Sequence, residues 1–167
     1  MNNTKIAVQI KLVKDPNGNK SLKATAPMSS VFRKDFDARW LNEELQRCED
    51  KYLRLVDNLK SILNLIKARE RKGKVLLYWM FGDEIHEFTE RNKDGTLFVE
   101  NLTAHLIRDI GASEKMIHRC KKFRSRYPDI NNVNLGRSFN NYVETFEGGY
   151  ISARRKRERK VEKSKDA

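Results

Sequence analysis

The sequence predicts a mainly α-helical protein: a helix-turn-helix-containing domain, a long N-terminal helix and a small N-terminal β-hairpin. Three observations predict it. Apolar residues between Leu41 and Ile66 recur alternately every four and three positions, the spacing of one helix face. Between Leu97 and Pro128, two shorter stripes flank Gly111-Ala112-Ser113, a glycine suited to a left-handed turn followed by a helix-capping serine. Residues 5–26 instead alternate with a period of two, as a half-buried strand does.

In chain order, Ile6, Val8, Ile10 and Leu12 alternate with more polar neighbours, Asp15-Pro16-Asn17-Gly18-Asn19 is a turn cluster, and Leu22, Ala24 and Ala26 alternate beyond it. This pattern suits a hairpin over residues 1–30. A lone hairpin is barely stable, so it must dock or pair with another copy, and a flexible lysine-rich arm is the alternative. Pro27 to Ser30 is a hinge into residues 31–72, which from Phe32 to Lys72 contain no proline or glycine. There Leu41, Leu45, Cys48, Tyr52, Leu55, Leu59, Ile62 and Ile66 form a heptad seam, joined after Leu53 by Val56, Leu63 and Leu65. The seam suits a dimerisation coiled coil, although a parallel pair would set Glu44 and Glu49 against each other. An antiparallel pair, or packing on the chain's own helices, avoids that clash.

Residues 73–149 form the expected helix-turn-helix-containing domain. Gly73 breaks the long helix, and Lys74 to Arg91 is the next one. Val75 to Phe81 is apolar all round and is expected at the centre of the core, with Asp83, Glu84, His86, Glu87 and Glu90 solvated. Asn92 to Gly95 is a turn into a helix expected over Leu97–Ile110, and a second helix is expected over 114–127. Beyond Pro128 an Asn-rich loop leads to a short helix capped by Ser138, with Phe139, Tyr142, Val143 and Phe146 inward and Gly148-Gly149 ending it. Residues 150–167 are a basic tail.

Composition narrows the partner. Lys and Arg number 35 against 23 Asp and Glu, a net charge of +12 on 167 residues, which favours a polyanion, nucleic acid before anionic membrane. With 38% hydrophobic and 35% charged residues, one domain with appendages is expected. No apolar run nears the ~20 residues of a membrane span, and Met1 to Lys5 carries no signal-peptide pattern. Cys48 and Cys120 fall inside apolar stripes, outside any metal-ligand spacing. They are expected as buried thiols of a cytoplasmic protein.

In a helix-turn-helix the second helix lies in the major groove with its N-terminal residues at base edges. On helix 114–127 this places Ser113 and Lys115 at phosphate, His118, Arg119 and Lys122 at base edges, and Lys121, Arg124 and Arg126 at phosphate. Arg154, Arg155, Lys156 and Arg157 in the tail would add phosphate grip. One residue is awkward: Ile107, at the closest approach of the two helices, where such motifs carry a small side chain. The expected partners are double-stranded DNA and, through the long helix, a second copy, in a transcription regulator or DNA-processing accessory. The competing class is a helical adaptor acting through seam 41–66. RNA binding is less favoured, because the chain shows no aromatic-bearing sheet on which bases could stack.

Several stretches resemble the N-terminal domain of the YhcG family. They are Ile66-Lys67-Ala68-Arg69, Leu76 to Ile85 with Tyr78-Trp79 and Gly82, Leu102-Thr103 with Leu106, Gly111-Ala112-Ser113, and Phe123 to Pro128. Phe81 stands where that family prefers isoleucine, and Arg124 where it prefers tyrosine. The resemblance spans roughly residues 60–147 and implies an all-helical, helix-turn-helix-like fold of the kind that precedes a restriction-type nuclease domain. A nuclease needs an aspartate beside a Glu-x-Lys to hold a metal. Glu70-Arg71-Lys72 and Glu158-Arg159-Lys160 supply the letters, but no sheet to place them. His86, His105 and His118 show no zinc spacing, and phosphate-binding loops and nucleophile elbows are missing. A binding protein is expected, without catalytic residues, metal, cofactor or small-molecule substrate.

Overall fold

The alternating N-terminal residues form the hairpin, and it is docked. In the computed structural model, which describes residues 5–28, 37–69, 73–93 and 95–146, β1 (Ile6–Lys14) pairs antiparallel with β2 (Lys20–Thr25), from Gln9↔Thr25 to Lys14↔Lys20. The turn is closed by the Asp15 carboxylate, which accepts from the Asn19 N–H at 2.7 Å, and by Gly18 at φ +84°. Ile6, Val8 and Ile10 are buried, so the period-two face is the core face.

The other edge of β1 corrects the sequence reading. Leu97 to Val99, expected as the first turn of a helix, is a strand, β3 (Leu97–Val99), parallel to β1 with Ile6↔Leu97 and Val8↔Val99. The sheet order is β2-β1-β3. The Ile6 N–H donates to the Thr96 carbonyl at 2.7 Å, and the Glu100 N–H to that of Val8 at 3.2 Å. An open strand edge offers unpaired backbone groups, and the aromatic and β-branched pair Phe98-Val99 suits them better than a helix. Only at Asn101, in the left-handed region at φ 53°, does the chain turn into helix.

The long helix, α1 (Ala38–Ala68), is capped by Asp37, whose carboxylate accepts from the Arg39 N–H at 2.8 Å. Its seam takes one of the coverings that its spacing left open. Leu41, Cys48, Tyr52, Leu55, Leu59, Ile62 and Ile66 are all buried against β2, β3 and the helices that follow. Leu45 is half-buried, and Leu65 is exposed. The partner of the seam is the chain's own core, so the coiled-coil homodimer and the adaptor surface expected from it lose their contact face.

Beyond Gly73, at φ +87°, α2 (Lys74–Arg91) runs as expected. Val75, Leu77, Phe81 and Ile85 are buried, but Met80 is 39% exposed, so the apolar stretch is not enclosed on all sides. Then come α3 (Leu102–Ile110), a turn through Gly111 at φ +68°, and α4 (Glu114–Arg126). After a 3-10 turn at Ile130–Asn132, residues 139–146 form α5, whose capping Ser138 hydroxyl accepts from the Asn141 N–H at 3.3 Å.

Two cores result. The larger joins sheet, α1 and α3 to Leu77, Phe81 and Ile85 of α2 and Ile117 and Cys120 of α4. The smaller gathers Val75, Phe123, Val133 and Tyr142 with Trp79, Tyr127 and Phe139 around them. Among the described residues no helix is long and apolar enough to cross a membrane.

Candidate nucleic-acid interface

The candidate interface is the outer face of α4, and its orientation is set by α2. A Cβ on Gly82 would lie 2.2 Å from the Cys120 carbonyl oxygen, so the two backbones approach as only glycine allows. Below that point the Trp79 indole N–H donates to the Tyr127 carbonyl at 2.7 Å. Arg124 forms an ion pair with Asp83 and lies 5.1 Å from the centre of the Trp79 ring. Ile117, Cys120 and Phe123 are fully buried. The turn forms as its residues dictate: Gly111 takes the left-handed conformation, Ala112 is buried, and the Ser113 hydroxyl accepts from the Met116 N–H at 3.2 Å.

The opposite face carries the charge. Lys115, His118, Lys121, Lys122 and Arg126 are exposed, and Arg119 is half-buried. His118 Nε2 lies 3.9 Å from the Glu114 carboxylate. Lys122 Nζ donates to the Phe146 carbonyl at 3.1 Å and sits 5.4 Å over its ring. Three of the expected phosphate contacts, Lys115, Lys121 and Arg126, are open to solvent. Ser113 is occupied as the helix cap. Arg124 departs from its expected role: its side chain is 14% exposed and already paired with Asp83, which is itself not solvated as expected. Arg154, Arg155, Lys156 and Arg157 lie outside the described residues, as do Glu70-Arg71-Lys72, Glu158-Arg159-Lys160 and Gly148-Gly149.

Two clefts border this face. One, of about 480 Å³ between α2 and α4, is basic, lined by His86, His118, Lys121, Lys122 and Arg124 among others. The other, of about 800 Å³, opens where the end of α2, β3, α3 and the start of α4 meet. Ile107 is on its wall, at the point where the sequence expects the closest helix contact. Sequence reading missed this groove because four separate segments line it. The one available signal was Ile107 itself, too large for a close crossing.

A part-buried clasp ties α1, α3 and β1 together. The Tyr52 hydroxyl donates to Asp109 at 2.7 Å, and Arg108 donates to the same carboxylate and to the Ile10 carbonyl, at 2.7 and 3.1 Å. Burial alone would raise the Asp109 carboxyl, but the hydrogen bonds from Arg108 and Tyr52 outweigh it and hold it below its ordinary range. Burial, then the neighbouring Arg108 charge, lowers His105. Both cysteines are free and buried, and burial pushes both thiols up, away from the reactive thiolate. Among the described residues no group of three His, Cys, Asp or Glu is placed to hold a metal ion.

Comparison with protein-family models, with curated proteins and with solved structures finds no significant match. The resemblance to the YhcG family therefore rests on its residues alone. Several of those residues have a physical role that needs no relative: Trp79, Gly82, Phe123, Arg124 and Tyr127 build the contact between α2 and α4.

Proposed function

We propose that this chain binds double-stranded DNA by laying the outer face of α4 against the duplex, as a regulator or an accessory of DNA processing. One observation carries the reading. The apolar side of α4 is locked into the core, while its other face holds Lys115, Arg119, Lys121, Lys122 and Arg126 against a single glutamate. A cationic helix face fixed in orientation suits an array of phosphates better than a free tail does. In this reading α3, the Gly111 turn and α4 act as a helix-turn-helix with α4 as its second helix. Lys115, Lys121 and Arg126 pair with phosphates, and His118, Arg119 and Lys122 reach base edges, Lys122 by exchanging its contact with Phe146. Arg124 stays with Asp83 and serves to position the helix. No dimer is part of the proposal.

Fluorescence anisotropy with duplex DNA across a salt series tests it. The slope of log affinity against log salt should fall by about 0.9 for each phosphate-pairing lysine removed. A His118→Ala/Arg119→Ala/Lys122→Ala variant should lose sequence preference while keeping non-specific binding. Sequence preference unchanged in that variant would overturn the assignment of these residues, and no duplex affinity at low salt would overturn the function.

A further inference from the structure

We propose that the groove between α2, β3, α3 and α4 binds a small organic anion with an apolar body. Its volume of about 800 Å³ is in the range that encloses drug-sized ligands, ~300–1,000 Å³. Phe88, Phe98, Leu102 and Ile107 line it and are each only half-buried. The contrast lies within one helix: on α3, Leu106 and Ile110 are 0% and 8% exposed, whereas Leu102 and Ile107 face an unfilled space. An apolar guest would take their remaining surface out of water.

The charge at the groove selects the other end of the guest. Of its cations, Lys5 Nζ donates to the Lys93 carbonyl, and Lys93 Nζ is 3.4 Å from Glu90. Lys121 is exposed and has no hydrogen bond or ion pair among the described residues. Among the described residues the one carboxylate on the lining, Glu114, lies beside His118 at 3.9 Å. An anionic group therefore finds an unengaged ammonium at the rim while the apolar body lies against the two phenyl rings. The groove shares Lys121 with the proposed DNA face, so the test uses no nucleic acid and reads the groove by itself.

The test is a titration of the full chain with 8-anilino-1-naphthalenesulfonate, an aromatic anion that fluoresces in apolar surroundings. Saturable binding at one site is expected, displaced by dodecanoate. Ala104→Trp, which fills the groove from α3, should abolish it. Lys121→Glu should weaken it about fivefold, the size of one exposed ion pair. Should Ala104→Trp change the circular dichroism, the methyl resonances of Leu102 and Ile107 in the unaltered chain decide: movement on adding the probe supports the site. Non-saturable binding, still methyl resonances, or two well-folded variants that bind like the unaltered chain would overturn it.

Discussion

The two sides of α4 differ in kind. Toward α2 the contact is closed: glycine against carbonyl at Gly82 and Cys120, an indole bonded to the Tyr127 carbonyl, an ion pair resting on a ring. Toward α3 it is open, with a groove where a close helix crossing is expected. The Gly111–Ser113 turn joins α3 to α4 without aligning them by itself. What points the cations of α4 outward is its seat on α2, and α3 takes its own seat on α1. α3 and α4 also touch, but far less closely than α2 and α4 do.

Substitutions can break each side of this contrast. The largest effect is expected from Gly82→Ala. Its Cβ meets a backbone oxygen that cannot rotate away, so overpacking should cost about 3 kcal/mol despite alanine's better helix propensity. A urea denaturation series checks it, and a loss near zero would mean that α2 and α4 are not in contact at this point.

The clasp that holds α3 on α1 comes next. Tyr52→Phe leaves the Asp109 carboxylate, 4% exposed, with one donor fewer, at a cost of about 1–3 kcal/mol near neutral pH. The pH dependence has a definite sign. Asp109 is lowered in the fold, so its contribution is complete above its ordinary value of 3.8 and is lost as the pH falls through its lower folded value. His105, also lowered, acts in the same direction: the fold prefers the neutral ring, and stability is lost as the pH drops below 6.5. Stability should therefore decline from neutral pH into acid. The gap between Tyr52→Phe and the unaltered chain should narrow as Asp109 is protonated, and a constant gap would contradict the clasp.

The smallest effect should come from the groove. Leu106→Ala, at a fully buried site, should cost about 2 kcal/mol. Ile107→Ala, one residue on but on the groove wall, should cost only about 1 kcal/mol, because part of its surface is already in water. Thermal melts of the two variants compare closed and open packing within a single helix.

Much of this fold was legible in the sequence. The hairpin and its Asp15–Asn19 turn, the bounds of α2, the left-handed Gly111, the Ser113 cap and the Ser138-capped α5 all follow from local patterns. What was not legible lay in the choice of partner. The α1 seam announced a buried face, but its periodicity is the same whether the covering surface is a second copy or the chain's own α2 and sheet. Leu97 to Val99 is three residues long, too short for either period to declare itself, and its partner strand begins at Ile6. At the site, the cations of α4 were readable from spacing. The withdrawal of Arg124 to Asp83 was not, since it depends on how closely α2 and α4 approach at Gly82.

The central claim is that α4 is held by α2 so that its cationic face meets DNA. Titrating the isotopically labelled chain with a short duplex and following its backbone amide resonances tests it most directly. The account predicts the largest shifts in residues 113–126, with the buried positions of α1 between Leu41 and Ile66 unmoved. Shifts centred on α1, or none at a salt concentration low enough for phosphate contacts to persist, would contradict it.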